Sequence, residues 1–377
     1  MKSPAGGLVA LGLALGLSLA SVSAAERADD KPLVQLAILL DTSSSMDGLI
    51  HQARTQLWKV VNELVATRRG GQRPELQVAV YEYGNQRLSR ESGFIRQVVP
   101  LTSDLDRVSE ALFGLKTYGG DEYCGQVIQQ AATELAWSPS LRDLKLIFIA
   151  GNEPFTQGPV DFRAAVRQAI GRGIAVHTIH CGAFEEGART GWKEGAQLAD
   201  GSYLAIDQNR ATPQVAAPQD GEIARLGQEL NRTYLAYGRT GTASAARQRA
   251  QDANAAGAAP AAMAERTAFK ASAAYSADDW DLVDAQKKGK VKLETLGAEE
   301  LPPEMRGLGP EERQAYLESQ QKKRAELQAR IQKLSAERRA FMADKEREQA
   351  RLGADTLDGA MLKSVREQAQ KKDFLFE

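Results

Sequence analysis

Cysteine and histidine are scarce in this chain: 377 residues hold two Cys and three His. Two thiols cannot build a disulfide-framed scaffold or a four-cysteine zinc site, and three imidazoles leave little room for histidine-centred catalysis or a multi-histidine metal site. Charge of one sign is lacking too. Lys+Arg number 48 against 49 Asp+Glu, which excludes the strongly basic face of an electrostatic nucleic-acid binder. After residue 25 no stretch is apolar enough to span a bilayer. Core-forming material is plentiful: 43% of residues are hydrophobic, so the chain is not disordered as a whole. Its length suits two domains, or one domain with a long accessory region.

The start of the chain reads as a targeting segment. Lys2 supplies a basic beginning, Leu8 to Ala20 is apolar or small, and Ser21-Val22-Ser23-Ala24-Ala25 offers the small side chains that a signal peptidase requires. A signal peptide is therefore expected over residues 1–25, cleaved after Ala24 or Ala25. The alternative, an uncleaved anchor helix, is disfavoured because the apolar run falls short of the roughly 20 residues that cross a bilayer. No Cys follows the run to take a lipid. The mature protein is expected to be periplasmic or secreted.

Three segments follow. Between Pro32 and Gly238 strand-like and helix-like patterns alternate. Leu33 to Leu40 is a continuous apolar run, as in a central parallel strand, and Gly48 to Arg68 carries a helical stripe through Ile50, Leu57, Val61 and Leu64. Leu76–Tyr83, Phe94–Val99, Leu144–Ala150, Ile174–His180 and Tyr203–Ile206 read as further strands. Helices are expected between them, one opened by a capping box at Ser103 and Asp106. This alternation predicts an α/β fold, a doubly wound, mostly parallel sheet, with its ligand crevice at the carboxyl ends of the strands. Residues 239–274 are rich in Ala without a convincing apolar stripe and read as a linker or loose helix. Residues 275–377 form a helical region. Trp280, Leu282 and Val283 anchor a small packed piece, and Pro310 starts a long charged helix to about Arg351, on the order of 60 Å long. Leu317, Leu327, Ile331, Leu334 and Phe341 fit a heptad seam, but Arg324 and Arg338 share it. The helix either self-associates as a coiled coil or folds back on the first domain. A short helix, Asp358 to Gln370, ends the chain.

The loop after the first strand carries the chemistry. Asp41, Ser43 and Ser45 place one carboxylate and two hydroxyls at alternating positions in a tight turn before a helix. Hard oxygens of this kind suit Mg²⁺ or Mn²⁺; a bare Ser-rich helix cap is the simpler alternative. With only one anionic ligand among the three, the ion keeps positive character and can take a carboxylate from a partner.

With this motif directly after a buried Leu-Ala-Ile-Leu-Leu strand, the segment from Pro32 to Gly238 resembles the von Willebrand factor type A domain, in motif and in strand order. The resemblance implies that Asp41-x-Ser43-x-Ser45 begins a metal-ion-dependent adhesion site, which a Thr of a second loop and an Asp of a third complete. Those two positions depart from the family here. Aligning Gly119-Gly120 puts Asp121 at the Thr position, with Thr117 as the alternative second-loop ligand. The third loop reads Ala150-Gly151-Asn152 where the family has Thr-Asp-Gly. Either the site is degenerate, or its acidic ligand has moved: Asp121 replaces the carboxylate lost at Gly151, and Asn152 adds a neutral oxygen. The resemblance also likens Glu222–Tyr237 to the last helix of integrin-type domains, which shifts between affinity states.

Cys124 and Cys181 both fall near the upper, carboxyl-end face of an exported domain. A Cys124–Cys181 disulfide is expected, two buried thiols being the alternative. Catalysis is not expected: the serines lack a nucleophile-elbow context, and His177 and His180 lie on opposite faces of one strand. His51 lies in a helix, and Glu122 and Glu153 flank the motif with no nucleophile to serve. The function expected is an exported, metal-dependent protein-binding module for adhesion or scaffolding. Mg²⁺, or Mn²⁺ or Ca²⁺, is completed by an Asp or Glu of a protein partner, and no nucleic acid is bound. The alternative is a metal-free structural component of a cell-envelope complex acting through its C-terminal helices, with self-association through the long one.

Overall fold

Strand β1 (Leu33–Asp41) alternates Val34, Leu36 and Leu40 onto one apolar cluster and Ala37 and Leu39 onto another. That two-sided burial makes it the centre of the sheet. In the computed structural model, which describes residues 31–206, 215–351 and 357–376, the chain continues through α1 (Asp47–Val65), β2 (Thr67–Arg68), β3 (Glu75–Tyr83), β4 (Arg96–Thr102), α2 (Leu105–Gly114) and α3 (Cys124–Glu134). Next come β5 (Leu144–Gly151), α4 (Phe162–Gly171), β6 (Ile174–Cys181), α5 (Phe184–Arg189), α6 (Trp192–Leu198) and β7 (Tyr203–Ile206). The signal segment expected at 1–25 lies outside the described residues.

The six strands run in the order β4-β3-β1-β5-β6-β7, all parallel except β4, which pairs antiparallel with β3. Helices cover both faces, α1 and α2 on one and α3, α4 and α6 on the other. The doubly wound α/β fold expected is the fold found. Winding goes from β1 outward to β3 and β4, then crosses to β5 on the other side of β1. The carboxyl ends of β1 and β5 therefore flank the point where winding reverses, where a ligand crevice forms. Helix α2 is capped by Asp104, which accepts from the Arg107 amide at 3.2 Å, and not by Ser103.

After β7 the chain departs from the expected plan. The Ala-rich stretch is no linker: α8 (Gly238–Ala258) and α9 (Pro260–Lys270) are helices, joined to α7 (Asp220–Asn231), α10 (Leu282–Lys287), α11 (Pro310–Arg351), α12 (Leu357–Gln370) and β8 (Leu375–Phe376). Helix α8 buries Gly241, Ala245, Gln248, Asp252 and Ala255 along one side, a stripe too small and polar to register as apolar periodicity. Arg266 of α9 is fully buried over Trp58 of α1, within 2.5 Å of Asp106 of α2 and 3.0 Å of Asp252 of α8. Residues from Lys31 onward consequently form one compact unit.

The helix expected to resemble an integrin's last helix, α7, packs on α9 and α11 and away from the sheet. The sheet face beside α1 is covered instead by α12, whose Leu362, Val365 and Ala369 join that core with Phe374, and β8 pairs antiparallel with β2. The long helix also turns inward. Leu317 packs with Leu235, Leu282 and Met305, while Leu327 and Ile331 pack with Ile223, Leu226 and Ala264. Its seam is occupied by the same chain, which corrects the coiled-coil reading. Among the described residues no helix is long and apolar enough to cross a membrane.

The expected disulfide is absent: Cys124 and Cys181 are both free and buried. The sheet itself keeps them apart. Cys181 continues the alternation of Ala175 and Ile179 into the cluster under α1, whereas Cys124 of α3 belongs to the cluster on the opposite face. Burial raises both thiol pKa values well above the ordinary range, so neither is a reactive thiolate at neutral pH. Alkylation of unreduced protein is expected to label two thiols per chain after denaturation and almost none in the native state. A native disulfide would leave the denatured, unreduced protein unlabelled.

Candidate functional site

Parallel register builds the site. Asp41, the last residue of β1, follows Ala37 and Leu39 in the alternation and lies opposite Tyr83 of β3. On the other side Leu40 pairs with Ala150, so Gly151 stands next to Asp41. Tyr83, Asp41 and Gly151 thus form a row across three strands at the carboxyl end of the sheet. Tyr83 donates its hydroxyl across that row to the Ala150 carbonyl at 2.9 Å. A Cβ on Gly151 would lie 2.4 Å from the phenol oxygen and 3.2 Å from Asp41 Oδ2. A side chain at the third-loop aspartate position of the resembled family would require Tyr83 to shift.

The first loop runs from the end of β1 into α1. Asp41 is completely buried, and its Oδ1 accepts from the Ser43 amide at 2.7 Å. The Ser43 and Ser45 hydroxyls lie 3.4 Å apart, and Met46 N closes the turn onto Ser43 O before α1 begins. Asp41 Oδ2 is buried and receives no hydrogen bond, and the same holds for Asn152 Oδ1 in the third loop.

The second loop brings a residue that the glycine alignment did not select. Asp121 is exposed and accepts from the Tyr123 hydroxyl at 3.2 Å. Thr117 donates to Asp47 of α1 at 2.6 Å. Glu122 is the one turned inward, 4% exposed. Its amide donates to Gln157 Oε1 at 2.6 Å, and its Oε2 accepts from the Glu153 amide at 3.4 Å. Gly84, at φ +77°, gives the closest measure of its position: a Cβ there would lie 2.7 Å from Asp41 Oδ1 and 2.8 Å from Glu122 Cγ. Only glycine tolerates both the conformation and the approach. The sequence signals for these residues are a glycine just past a buried strand and an acidic pair after Gly119-Gly120; the alignment selected Asp121, and the buried member of the pair is its neighbour Glu122.

Two carboxyl groups therefore converge with no lysine or arginine between them; the Ser43 side chain hydrogen-bonds both, and each also takes one backbone amide. Burial, and then the Glu122 charge, raise the Asp41 pKa well above the usual carboxylate range, and burial raises that of Glu122 as well. Like charges in a low-dielectric site force either protonation or a counter-cation. Tyr83 and Cys124, hydrogen-bonded at 3.8 Å, are held neutral first by burial and then by these neighbouring acidic groups. His177 stacks on Phe148 beneath the other face, and His180 lies beside Trp192.

The donor set fits a hard divalent cation. Among the described residues no three His, Cys, Asp or Glu side chains gather as a metal cluster, so a cation here would depend on hydroxyl and amide oxygens as much as on carboxylates. Ser43, Ser45 and Asn152 offer such oxygens, and Asp41 Oδ2 and Asn152 Oδ1 are buried acceptors lacking a donor. Oxygen-only coordination of this kind suits Mg²⁺, Mn²⁺ or Ca²⁺ rather than zinc or copper.

Residues 35–194 match the family described as the von Willebrand factor type A domain. Among solved structures the chain is similar to the conserved hypothetical protein BatB from Bacteroides thetaiotaomicron, at 18% identity over 46% of this chain and 90% of that one, with a TM-score of 0.36. It is similar to an aerotolerance-related membrane protein from Bacteroides fragilis at 18% identity, over 46% and 92% of the two chains, with a TM-score of 0.32. It is also similar to the pilus adhesin SpaC from Lactobacillus rhamnosus GG in its open conformation, at 15% identity over 48% and 28%, with a TM-score of 0.35. No curated protein matches the chain.

Proposed function

Starting from a chain whose residues 35–194 match the von Willebrand factor type A domain, we propose that it is an exported, non-catalytic binding module. A divalent cation at the carboxyl end of its sheet recognises an acidic side chain of a protein partner. The observation that carries this reading is Asp41: a fully buried carboxylate whose Oδ2 has no donor, beside two serine hydroxyls at the winding reversal of the sheet. Asp41, Ser43, Ser45 and Asn152 would hold the ion, and the bound ion supplies an electrophilic point for a carboxylate oxygen. The chain's own groups orient that point. The Ser43 amide fixes the Asp41 carboxylate, the tight turn before α1 fixes the two hydroxyls, and the exposure of Ser45 leaves the outer side open to a partner. The signal-like residues 1–25 support export.

The test is calorimetric titration of the full mature chain with Mg²⁺ and Mn²⁺, beside its Asp41→Asn variant. Saturable binding in the wild type, abolished in D41N, is the expected result, with partner capture from an envelope extract lost on chelation. Equal heats in the two proteins, or capture indifferent to chelator, would remove the reading.

A further inference from the structure

We infer that Glu122 is the second anionic ligand of this site, having taken over from the third loop the role that Tyr83 closes there. The inference rests on the cation reading above and adds the residue that completes it.

Three observations converge on Glu122. It is 4% exposed, an unusual burial for a glutamate without a cationic partner, and nothing of opposite charge is paired with it among the described residues. Its stem meets Asp41 over Gly84, where one added carbon would touch both side chains at 2.7 and 2.8 Å. Asp41, itself completely buried, turns Oδ1 toward Gly84 and Glu122 and leaves the undonated Oδ2 on the Gly151 side. Two converging carboxylates buried with no lysine or arginine, and with only the Ser43 side chain and single backbone amides as donors, leave a charge that a cation neutralises.

The third loop explains why the ligand had to move. Tyr83 stands beside Asp41 in register and carries its hydroxyl to the Ala150 carbonyl. The phenol oxygen would be 2.4 Å from any Cβ at position 151, so a side chain there would require the buried tyrosine to shift. Glu122 is one methylene longer than aspartate, and it reaches Asp41 from the second loop, its amide held by Gln157. Two carboxylates are thus retained, and cation affinity depends strongly on that count. Asp121, the neighbouring acid, faces solvent and the Tyr123 hydroxyl, so it serves as an internal control.

The experiment titrates the full mature chain with Mn²⁺ by calorimetry, comparing wild type, Glu122→Gln, Asp121→Asn and Asp41→Asn, with thermal melts in the presence and absence of the ion. E122Q is expected to weaken Mn²⁺ binding by more than about 100-fold, beyond the range seen for residues that merely support a ligand. D121N is expected to change it by less than about threefold, within the indifference expected of an exposed carboxylate outside the site. Without metal, E122Q is expected to melt no lower than wild type, because one of two converging charges is gone, and to lose the Mn²⁺-dependent rise in Tm. Should E122Q not fold, Glu122→Asp keeps the charge one methylene short and is expected to bind at least about tenfold more weakly. Wild-type binding that D41N abolishes but E122Q and E122D leave intact overturns this inference alone. An absence of wild-type binding, or binding unchanged in D41N, overturns the cation reading itself.

Discussion

A chain ending at Gly238 is expected not to fold cooperatively, although the sequence alone would place the domain boundary there. The sheet face beside α1 is completed by residues more than a hundred positions downstream: Leu362, Val365 and Ala369 of α12, and Phe374 beyond it, all buried in that core. Burying a large apolar side chain contributes about 1.5–3 kcal/mol, so Leu362, Val365 and Phe374 together contribute on the order of 5–9 kcal/mol. A whole domain is stable by only about 5–15 kcal/mol. The truncation also removes α9, exposing Trp58, which now stacks on Phe269 at 5.3 Å and lies beneath Arg266. The expected result is an insoluble or molten fragment, seen as loss of near-ultraviolet circular dichroism and of a sharp denaturant transition. Removing residues 357–377 alone is expected to lower the midpoint strongly for the same reason. A 32–238 fragment that unfolds in one cooperative transition with the stability of the full chain would overturn the assignment of α12 to the core. Metal titrations therefore belong on the full mature chain.

That boundary shows which parts of the fold were legible in the sequence. Strand β3 and helix α1 announced themselves by apolar side chains at their own periods, and β1, β5 and β6 by short runs buried on both faces. The first loop was legible because its three ligand candidates lie within five residues, and local spacing fixes local geometry. Helix α8 was not legible, since its buried stripe consists of Gly241, Ala245, Gln248, Asp252 and Ala255. Close helix approach and a buried ion pair, rather than apolar area, hold it in place. Glu122 and Tyr83 were hidden for another reason. Their roles depend on which strands lie side by side, and register between β3, β1 and β5 is a tertiary fact that spacing along one chain does not encode. The cysteines failed likewise: both lie near the upper end, but the face each occupies is set by the sheet between them.

The two arginines on the seam of α11 were the sharpest conflict between pattern and fold, and they give the second large prediction. In a self-associating helix a seam arginine is a defect; here each is matched to the same chain. Arg338 reaches Asp220 at 2.6 Å and also pairs with Glu265. Arg324, 3% exposed, lies 2.6 Å from Asp281 and 2.8 Å from Asp284, donates to the Thr233 carbonyl at 2.5 Å and covers the Tyr234 ring at 4.1 Å. Asp281 in turn accepts from the Leu235 amide at 2.7 Å and caps α10 through the Asp284 amide at 2.9 Å. One guanidinium therefore joins α11, α10 and the end of α7. Replacing it with methionine keeps bulk and apolar packing but leaves Asp281 buried without its counter-charge, which costs about 3–5 kcal/mol. Arg324→Met is expected to lower stability by that amount in urea or guanidinium titrations, with an unchanged denaturant slope. Adding Asp281→Asn is expected to recover part of the loss, because no buried charge is left stranded; recovery is only partial because the single amide oxygen keeps one of the two backbone N–H groups that Asp281 Oδ1 and Oδ2 accept. A single-variant loss below about 1 kcal/mol, in the range of exposed pairs, would mean that α11 is held by its leucines and isoleucine alone. A double variant no better than R324M would mean that the cost lies in lost packing over Tyr234. The expected pattern, a large single loss with partial recovery, identifies the arginine seam as the lock that turns a helix with a coiled-coil repeat inward onto its own domain.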